Sequence, residues 1–111
     1  MSIIEISNDD IRAVVNKNNE IVVIKFYAEW CSACKNINAP FNEFCDYVTN
    51  LKNKKKNIYF YKINVDKCDK LCKMFKIEYL PSFVMLKNGK YVDIVTGGDI
   101  NTICNTICKH V

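Results

Sequence analysis

The run from residue 21 to residue 27 is almost uninterruptedly apolar and rich in β-branched side chains. A strand exposed on one face alternates apolar and polar residues, whereas a strand covered on both faces is apolar throughout. We therefore predict a central strand at 21–27, with its sheet covered on both sides. The chain has 111 residues, half of them hydrophobic and a quarter charged. This length and composition predict one globular domain over residues 1–111.

Further elements follow from periodicity and turn signals on both sides of this strand. The predicted strands are residues 3–6, 21–27, 58–65, 81–86 and 91–95. The predicted helices begin at Ser7 and Asp99 and span residues 31–48 and 66–76. Pro40 should kink the helix over 31–48, and Asn88-Gly89 should join the last two strands in an antiparallel hairpin. The order β-α-β-α-β-α-β-β-α is that of an α/β domain.

Cysteine usage and charge indicate the compartment and the class of partner. The chain contains seven cysteines, so at least one is unpaired within a monomer. Secreted disulfide scaffolds usually carry an even set and little other core. Residues 1–6 lack a basic region followed by a sustained apolar one, and the chain has no apolar run long enough to cross a membrane. We therefore expect a cytoplasmic protein without membrane partners. The net charge of +4, with scattered lysines, gives no case for nucleic acid.

Cys31 and Cys34 follow the apolar strand directly and lie at the predicted start of a helix. Thiol–disulfide exchange needs a thiolate, and a free cysteine with a pKa near ~8.5 supplies little of it at neutral pH. A helix N-terminus carries unsatisfied N–H groups that stabilise an anion. Cys31 is therefore the predicted nucleophile, and Cys34, one turn further on the same side, is the predicted resolving thiol. The pair predicts a thiol–disulfide oxidoreductase.

The alternative for a Cys-x-x-Cys pair is zinc binding. Zinc needs about four ligands, and the only histidine of the chain is His110, close to the C-terminal end. Because no second Cys-x-x-Cys pair accompanies the first, the metal interpretation is the weaker one. The chain also lacks a Gly-rich phosphate loop. We expect no metal and no other cofactor.

Five segments together carry a family resemblance. They are residues 28–35 (Ala-Glu-Trp-Cys-x-x-Cys-Lys), 64–66 (Asn-Val-Asp), 81–83 (Pro-Ser-Phe), 87–89 (Lys-Asn-Gly) and Gly97. In this order and spacing, they make the chain resemble the thioredoxin family over essentially its whole length. The resemblance implies the thioredoxin fold, a mixed central β-sheet flanked by helices. It also implies that the chain reduces protein disulfides, forms a redox-active Cys31–Cys34 disulfide and is recharged by an NADPH-dependent thioredoxin reductase. We expect a monomer.

The same resemblance implies a substrate-binding surface around the dithiol. Trp30 would flank the active site and contact substrate, although packing usually explains a lone tryptophan. The Leu80–Pro81 bond would be cis, and the backbone before the proline would pair with an extended substrate strand. The alternative is a proline that merely opens a strand. Gly97 would complete the substrate-binding set.

Three residues depart from the family pattern. Ser32 and Ala33 stand between the cysteines where relatives commonly carry Gly-Pro. We expect a less reducing potential, because the dithiol and the disulfide are then stabilised differently. Lys25 stands where the family usually has a buried Asp that assists proton transfer, and Lys62 matches the lysine that normally partners that Asp.

Two neighbouring lysines repel and burial disfavours charge, so either Lys25 or Lys62 should be neutral or should snorkel to water. A neutral Lys25 would act as a base toward Cys34, and a charged one would stabilise the Cys34 thiolate. The alternative is a lysine that reaches solvent and has no catalytic task.

Five cysteines lie outside the dithiol: Cys45, Cys68, Cys72, Cys104 and Cys108. The last four form two pairs spaced by four, each pair sharing a helix face. Small hydrophobic residues that fill core or rim are the simplest interpretation. Regulatory oxidation is the alternative. Cys68 is its best candidate, because it falls at the predicted start of a helix after Asp66.

Two other functions stay open beside the reduction of protein disulfides. Lys25 and the Ser32-Ala33 dipeptide suggest a thioredoxin-fold binding module whose dithiol is retuned or inactive. A less reducing dithiol would instead favour a disulfide isomerase or oxidase of the same fold.

Overall fold

The computed structural model describes residues 3–15, 20–52 and 57–111, and the strands in these ranges form one mixed sheet. The strands are β1 (Ile4–Glu5), β2 (Glu20–Tyr27), β3 (Asn57–Asn64), β4 (Ser82–Lys87) and β5 (Lys90–Thr96). Their order across the sheet is β1-β3-β2-β4-β5. β2 runs parallel to β3 and antiparallel to β4, so the strand predicted to be central has a partner on each side.

Helices flank this sheet. They are α1 (Ile11–Val15), which follows a 3₁₀ turn (Asn8–Asp10), α2 (Ser32–Asn36), α3 (Asn38–Thr49), α4 (Asp69–Met74) and α5 (Ile100–Cys108). The predicted element order is confirmed, but the helix expected over 31–48 is divided into α2 and α3 at Ile37. Pro40 explains the division, because it offers no N–H to the carbonyl of Asn36 and its ring crowds that turn. The disruption therefore lies one turn before the proline rather than at it.

Both faces of β2 are covered, as its continuous apolar run predicts. Successive side chains of a strand point to opposite faces. Ile21 and Val23 belong to a core cluster with residues of α3 and α5, whereas Ile24 and Phe26 belong to a second cluster with residues of α1 and α4. By the same alternation, Lys25 lies on the α3 face of the sheet. Lys25 of β2 is therefore buried between the sheet and the helix layer that contains α3.

The β4–β5 hairpin is antiparallel, as the Asn-Gly pair predicts. Asn88 and Gly89 both have positive φ angles, 54° and 78°, which is the backbone of a type I′ turn. Within the described ranges, no helix has both the length and the apolar character that a membrane span requires.

Candidate active site

Cys31 and Cys34 lie together where β2 leads into α2. Cys31 is the N-cap residue, with an extended backbone, and its Sγ accepts a hydrogen bond from the N–H of Cys34 over 3.2 Å. Both side chains are buried. The predicted position of the dithiol at the start of a helix is confirmed. The Cys31 sulfur accepts this bond from an N–H in the first turn of the helix, where N–H groups have no backbone partner within the helix and favour negative charge.

The thiol of Cys34 has a different environment. Burial raises its pKa to about 11, and the hydrogen bond with Cys31 acts in the same direction, while a backbone contact at Ala28 lowers it. Cys34 therefore keeps its proton at neutral pH. Since the thiolate is the attacking species, Cys34 needs a base before it can resolve a mixed disulfide.

Lys25 is buried in the middle of β2, with 4% of its surface exposed. Its Nζ donates to the backbone carbonyl of Cys34 over 3.4 Å and to Oδ1 of Asn38, the first residue of α3. Burial lowers the pKa of Lys25, nearby Lys62 also lowers it, and Cys34 raises it. Lys25 thus lies beside the dithiol and does not extend to water.

Lys62 is the neighbour of Lys25 in the parallel β2–β3 register. Both amino groups lie near the ring of Tyr27, with Nζ 6.0 Å from the ring centroid for Lys25 and 5.7 Å for Lys62. These distances allow cation–π attraction. Lys62 is only half-buried. Of the two lysines, Lys62 has access to water, whereas Lys25 is buried and donates to the backbone carbonyl of Cys34.

The segment before β4 packs on the dithiol. The Leu80–Pro81 peptide bond is cis, as the resemblance implies. Leu80 packs against the small cluster that contains Cys31 and Cys34. Gly97, which follows β5, has a φ of +97° and donates its N–H to the carbonyl of Pro81 over 2.8 Å. These contacts bring three of the expected substrate-binding residues to one place.

Trp30 is exposed beside the cysteines, at 68% of its surface. Its indole N–H donates to the carboxylate of Asp66 over 3.0 Å. A tryptophan this exposed does not fill the core, so the packing alternative does not describe Trp30. A groove of about 240 Å³ opens next to Leu80. It is lined by Val65, Asp69, Cys72, Ile77, Glu78 and Leu80.

Comparisons with known proteins identify the family of the chain. Residues 2–109 match the thioredoxin family model. The chain belongs to the thioredoxin family. Thioredoxin H5 of Arabidopsis thaliana is 32% identical to it, over 96% of this chain and 84% of the relative. The thioredoxin of Malassezia sympodialis is 33% identical over 95% of each chain.

Solved thioredoxin structures have the same fold. The Malassezia sympodialis structure gives a TM-score of 0.79 at 31% identity, over 98% of this chain and 90% of that chain. The Fasciola hepatica thioredoxin gives a TM-score of 0.87 at 23% identity, over 98% and 100% of the two chains, which shows likeness of fold. Thioredoxins are thiol–disulfide oxidoreductases that reduce disulfides. As a member of this family, the chain is a disulfide reductase.

Two residues of this thioredoxin-fold site are missed by sequence reasoning. A Cβ added at Gly98 would lie 3.7 Å from both the Cβ and the carbonyl oxygen of Ala33, so Gly98 packs against the dipeptide between the cysteines. The Gly97-Gly98 pair is the sequence feature that could have pointed to Gly98, although from sequence it indicates only that a strand ends there. Asn38 has no signal of its own, because its contact with Lys25 depends on where α3 begins.

The cysteines outside the dithiol include buried ones with weakly acidic thiols. Cys68 is the N-cap residue of α4, as its predicted place at a helix start implies, although its side chain makes no capping hydrogen bond. It is 3% exposed, and burial raises its pKa. Cys45 is fully buried in the α3–α5 core, and burial raises its pKa to about 12. A regulatory thiol requires access and thiolate character. Cys68 lacks both in this structure, and core filling describes Cys45 and Cys68 better.

His110 pairs with an acid rather than with cysteines. Its Nε2 lies 3.0 Å from Oδ2 of Asp93, and this hydrogen bond lowers the pKa of Asp93. Among the described residues, no group of three or more His, Cys, Asp or Glu side chains is arranged to hold a metal ion.

Proposed function

We propose that this protein reduces disulfide bonds in protein substrates, with Cys31 as the nucleophile and Cys34 as the resolving thiol. The observation that carries the proposal is the 3.2 Å hydrogen bond from the Cys34 N–H to the Cys31 sulfur. It holds one sulfur where negative charge is stabilised, while burial keeps the other protonated. The two thiols thereby have the different environments that a nucleophile and a resolving thiol require.

The reaction needs no cofactor, because the dithiol supplies both electrons. The Cys31 thiolate attacks one sulfur of the substrate disulfide, and the other substrate sulfur leaves with the electrons of the broken bond. Cys34 then loses its proton and attacks the Cys31 sulfur of the mixed disulfide. The second substrate sulfur leaves, and the protein ends as the Cys31–Cys34 disulfide. We propose that an NADPH-dependent thioredoxin reductase returns this disulfide to the dithiol.

Lys25 is the proposed base for the second attack. Its Nζ lies 3.4 Å from the backbone carbonyl oxygen of Cys34, the residue whose thiol must lose a proton, and the charges of the two side chains interact. Burial lowers its pKa, so a neutral amine is easier to reach than for an exposed lysine. The amine accepts the Cys34 proton, and the ammonium that forms stabilises the thiolate. The amine of Lys25 would thereby assist the proton transfer that the carboxyl group of a buried Asp usually assists in the family.

The proposed substrate surface consists of Trp30, Leu80, Pro81 and Gly97. An extended substrate segment would pair with the backbone before Pro81, with the indole of Trp30 at its side. Gly97 acts through the loop, because its N–H is directed to the Pro81 carbonyl.

We further propose a cytoplasmic monomer of one domain, with no nucleic-acid or membrane partner. The net charge of +4 is too small to hold nucleic acid strongly. The odd number of cysteines, seven, suits a reducing compartment, because at least one thiol is unpaired in a monomer.

A disulfide isomerase or oxidase is the second candidate. Ala33 restores a backbone N–H and loosens φ where the family commonly has proline. A charged Lys25 would stabilise the Cys34 thiolate of the reduced form, which raises the reduction potential. The family assignment, which makes this chain a disulfide reductase, argues against a binding module with an inactive dithiol.

Insulin reduction separates these candidates. We expect the protein to reduce insulin with dithiothreitol and with NADPH plus thioredoxin reductase. Cys31→Ser should abolish both activities. No turnover with either electron source would favour the binding module. Equilibration with glutathione then gives the reduction potential. A value above that of the double variant Ser32→Gly, Ala33→Pro is expected, and a value at or below it would contradict the predicted retuning.

A further inference from the structure

Lys25 has two uncharged hydrogen-bond acceptors among the described residues. Nζ donates to the Cys34 carbonyl over 3.4 Å and to Oδ1 of Asn38. A carboxylate in either place would favour the ammonium form, because an opposite charge nearby stabilises the charged state. A carbonyl or an amide accepts a hydrogen bond from an amine and from an ammonium alike. These acceptors therefore fix the position of Nζ without fixing its protonation state.

Asn38 reaches Lys25 because the helix is interrupted at Ile37. Asn38 is the first residue of α3, and as a residue it is exposed, whereas Lys25 is 4% exposed. Its side-chain amide thus extends from the surface to a buried amine. The break that Pro40 causes has a consequence for the site, since it sets where α3 begins.

The charged and titratable groups near Lys25 decide which protonation state of its amine is favoured. Its β4 neighbour in the register is Phe83, which is apolar. Ionised thiols near Lys25 favour its ammonium form, and the positive charge on β3 disfavours it. The ionisable groups are Cys31, Cys34, Cys45 and Lys62. Formation of the Cys34 thiolate is thus a local event that makes protonation of Lys25 favourable, and Asn38 adds no charge to this balance.

We propose that Asn38 is a positioning residue for the resolving step, which holds the Lys25 amine beside Cys34 and leaves it able to gain and lose a proton. This inference rests on the base role proposed above for Lys25. In the step, the Cys34 proton passes to the lone pair of the Lys25 nitrogen, and the S–H electron pair stays on sulfur. That sulfur bonds to Cys31, and the substrate sulfur leaves with the electrons of the broken S–S bond. Lys25 returns its proton to water once the thiolate has been consumed.

Asn38→Asp tests the inference, because it keeps the shape of the side chain and adds a carboxylate. The assay starts from the mixed disulfide of Cys31 with thionitrobenzoate and follows release of the coloured thiolate as a function of pH. A Cys108→Ser background removes an exposed thiol. We expect the pH midpoint of release to rise by about one unit or more, because the carboxylate stabilises the Lys25 ammonium.

Asn42→Asp is the matched control. It adds the same charge one turn further along α3, at an exposed residue, and should shift the midpoint much less. An unchanged midpoint in Asn38→Asp, or an equal shift in Asn42→Asp, overturns the inference.

Lys25→Gln distinguishes this inference from the proposed function. It should slow release by at least about tenfold, and Asn38→Asp should shift nothing in its background. Release that Lys25→Gln leaves unchanged in rate and pH midpoint removes the base role itself. Slow release in Lys25→Gln together with an unshifted midpoint in Asn38→Asp removes only the positioning role of Asn38.

Discussion

Gly97 donates its N–H to the carbonyl of Pro81 over 2.8 Å, and so joins the end of β5 to the segment that enters β4. It does this at a φ of +97°, which other residues adopt only with strain. Space is not the constraint, because no atom lies within 4 Å of a Cβ added there. The neighbouring Gly98 does not have this φ, and its added Cβ would make ordinary contacts with Ala33.

Gly97→Ala should therefore destabilise the protein, whereas Gly98→Ala should not. We expect Gly97→Ala to lower the free energy of unfolding by about 1–3 kcal/mol through backbone strain. Gly98→Ala should stay within about 0.5 kcal/mol. Urea unfolding followed by tryptophan fluorescence measures both. Equal losses in the two variants would show that conformation at Gly97 is not the cause.

Cys34→Ser should trap a mixed disulfide with substrate, because Cys31 still attacks but the resolving thiol is gone. Cys31→Ser should trap none at neutral pH, since the Cys34 thiol stays protonated with a pKa of about 11. Intact-mass analysis after incubation with oxidised insulin detects the adduct, in a Cys108→Ser background. An adduct that forms equally in Cys31→Ser would reverse the assigned roles.

Lys25→Met should stabilise the fold and impair the chemistry. Burying an ionisable side chain away from water costs free energy, so an apolar side chain of similar size should be more stable at this position, by about 1 kcal/mol or more. The resolving step should slow at the same time, because the proposed base is lost. Lys62→Met is the matched control on the half-buried neighbour. It should keep the maximal rate of the resolving step and raise only its pH midpoint, because the charge of Lys62 lowers the pKa of Lys25. Thermal unfolding and thionitrobenzoate release give the two readouts, and a destabilised Lys25→Met with normal release would contradict both expectations.

Stability should fall at alkaline pH because of Cys45. Burial raises its pKa from 9.0 to about 12, so below pH 9 the thiol is neutral in both the folded and the unfolded state. As the pH rises from 9 toward 12, the unfolded chain ionises and the folded one does not, which removes stability. Between pH 9 and 10 the expected loss is about 1 kcal/mol.

Cys45→Ala should remove that part of the pH dependence, measured as the unfolding free energy in urea at each pH. Val48→Ala is the control, because it truncates a buried residue of the same helix that carries no titratable group. It should lower stability at every pH without changing the slope. Because burial also raises the pKa of Cys34, part of the slope should remain in Cys45→Ala. A slope as steep in Cys45→Ala as in the parent protein would contradict the role assigned to Cys45.

The strand β2 and the dithiol could be predicted because contiguous residues determine each of them. The apolar run at 21–27 is sufficient to predict a strand that is buried on both faces. The position of Cys31 directly after that strand is sufficient to place it at the start of the next helix. The contact of Lys25 with Asn38 could not be predicted, because it depends on where the helix is interrupted. Pro40 offers no N–H to the carbonyl of Asn36, so the interruption lies before the proline and α3 begins at Asn38.

Cys68 shows the same limit for burial. Its place at the start of α4 follows from local sequence, and the structure confirms it. Its accessibility depends on Ile6, whose carbonyl lies 3.9 Å from the Cys68 sulfur although the two residues are 62 positions apart. Spacing by four along a helix states which residues share a face, but it does not state what covers that face.

The central position of β2 has a consequence for how the protein loses structure. β2 is hydrogen-bonded to β3 on one side and to β4 on the other, and a short loop connects its last residue, Tyr27, to Cys31. Amide hydrogens in such a strand exchange with solvent only when the domain opens as a whole, whereas the short edge strand β1 opens locally. Fraying at the sheet edge therefore leaves the two sulfurs in place, and the redox site should survive fluctuations that already expose the first strand.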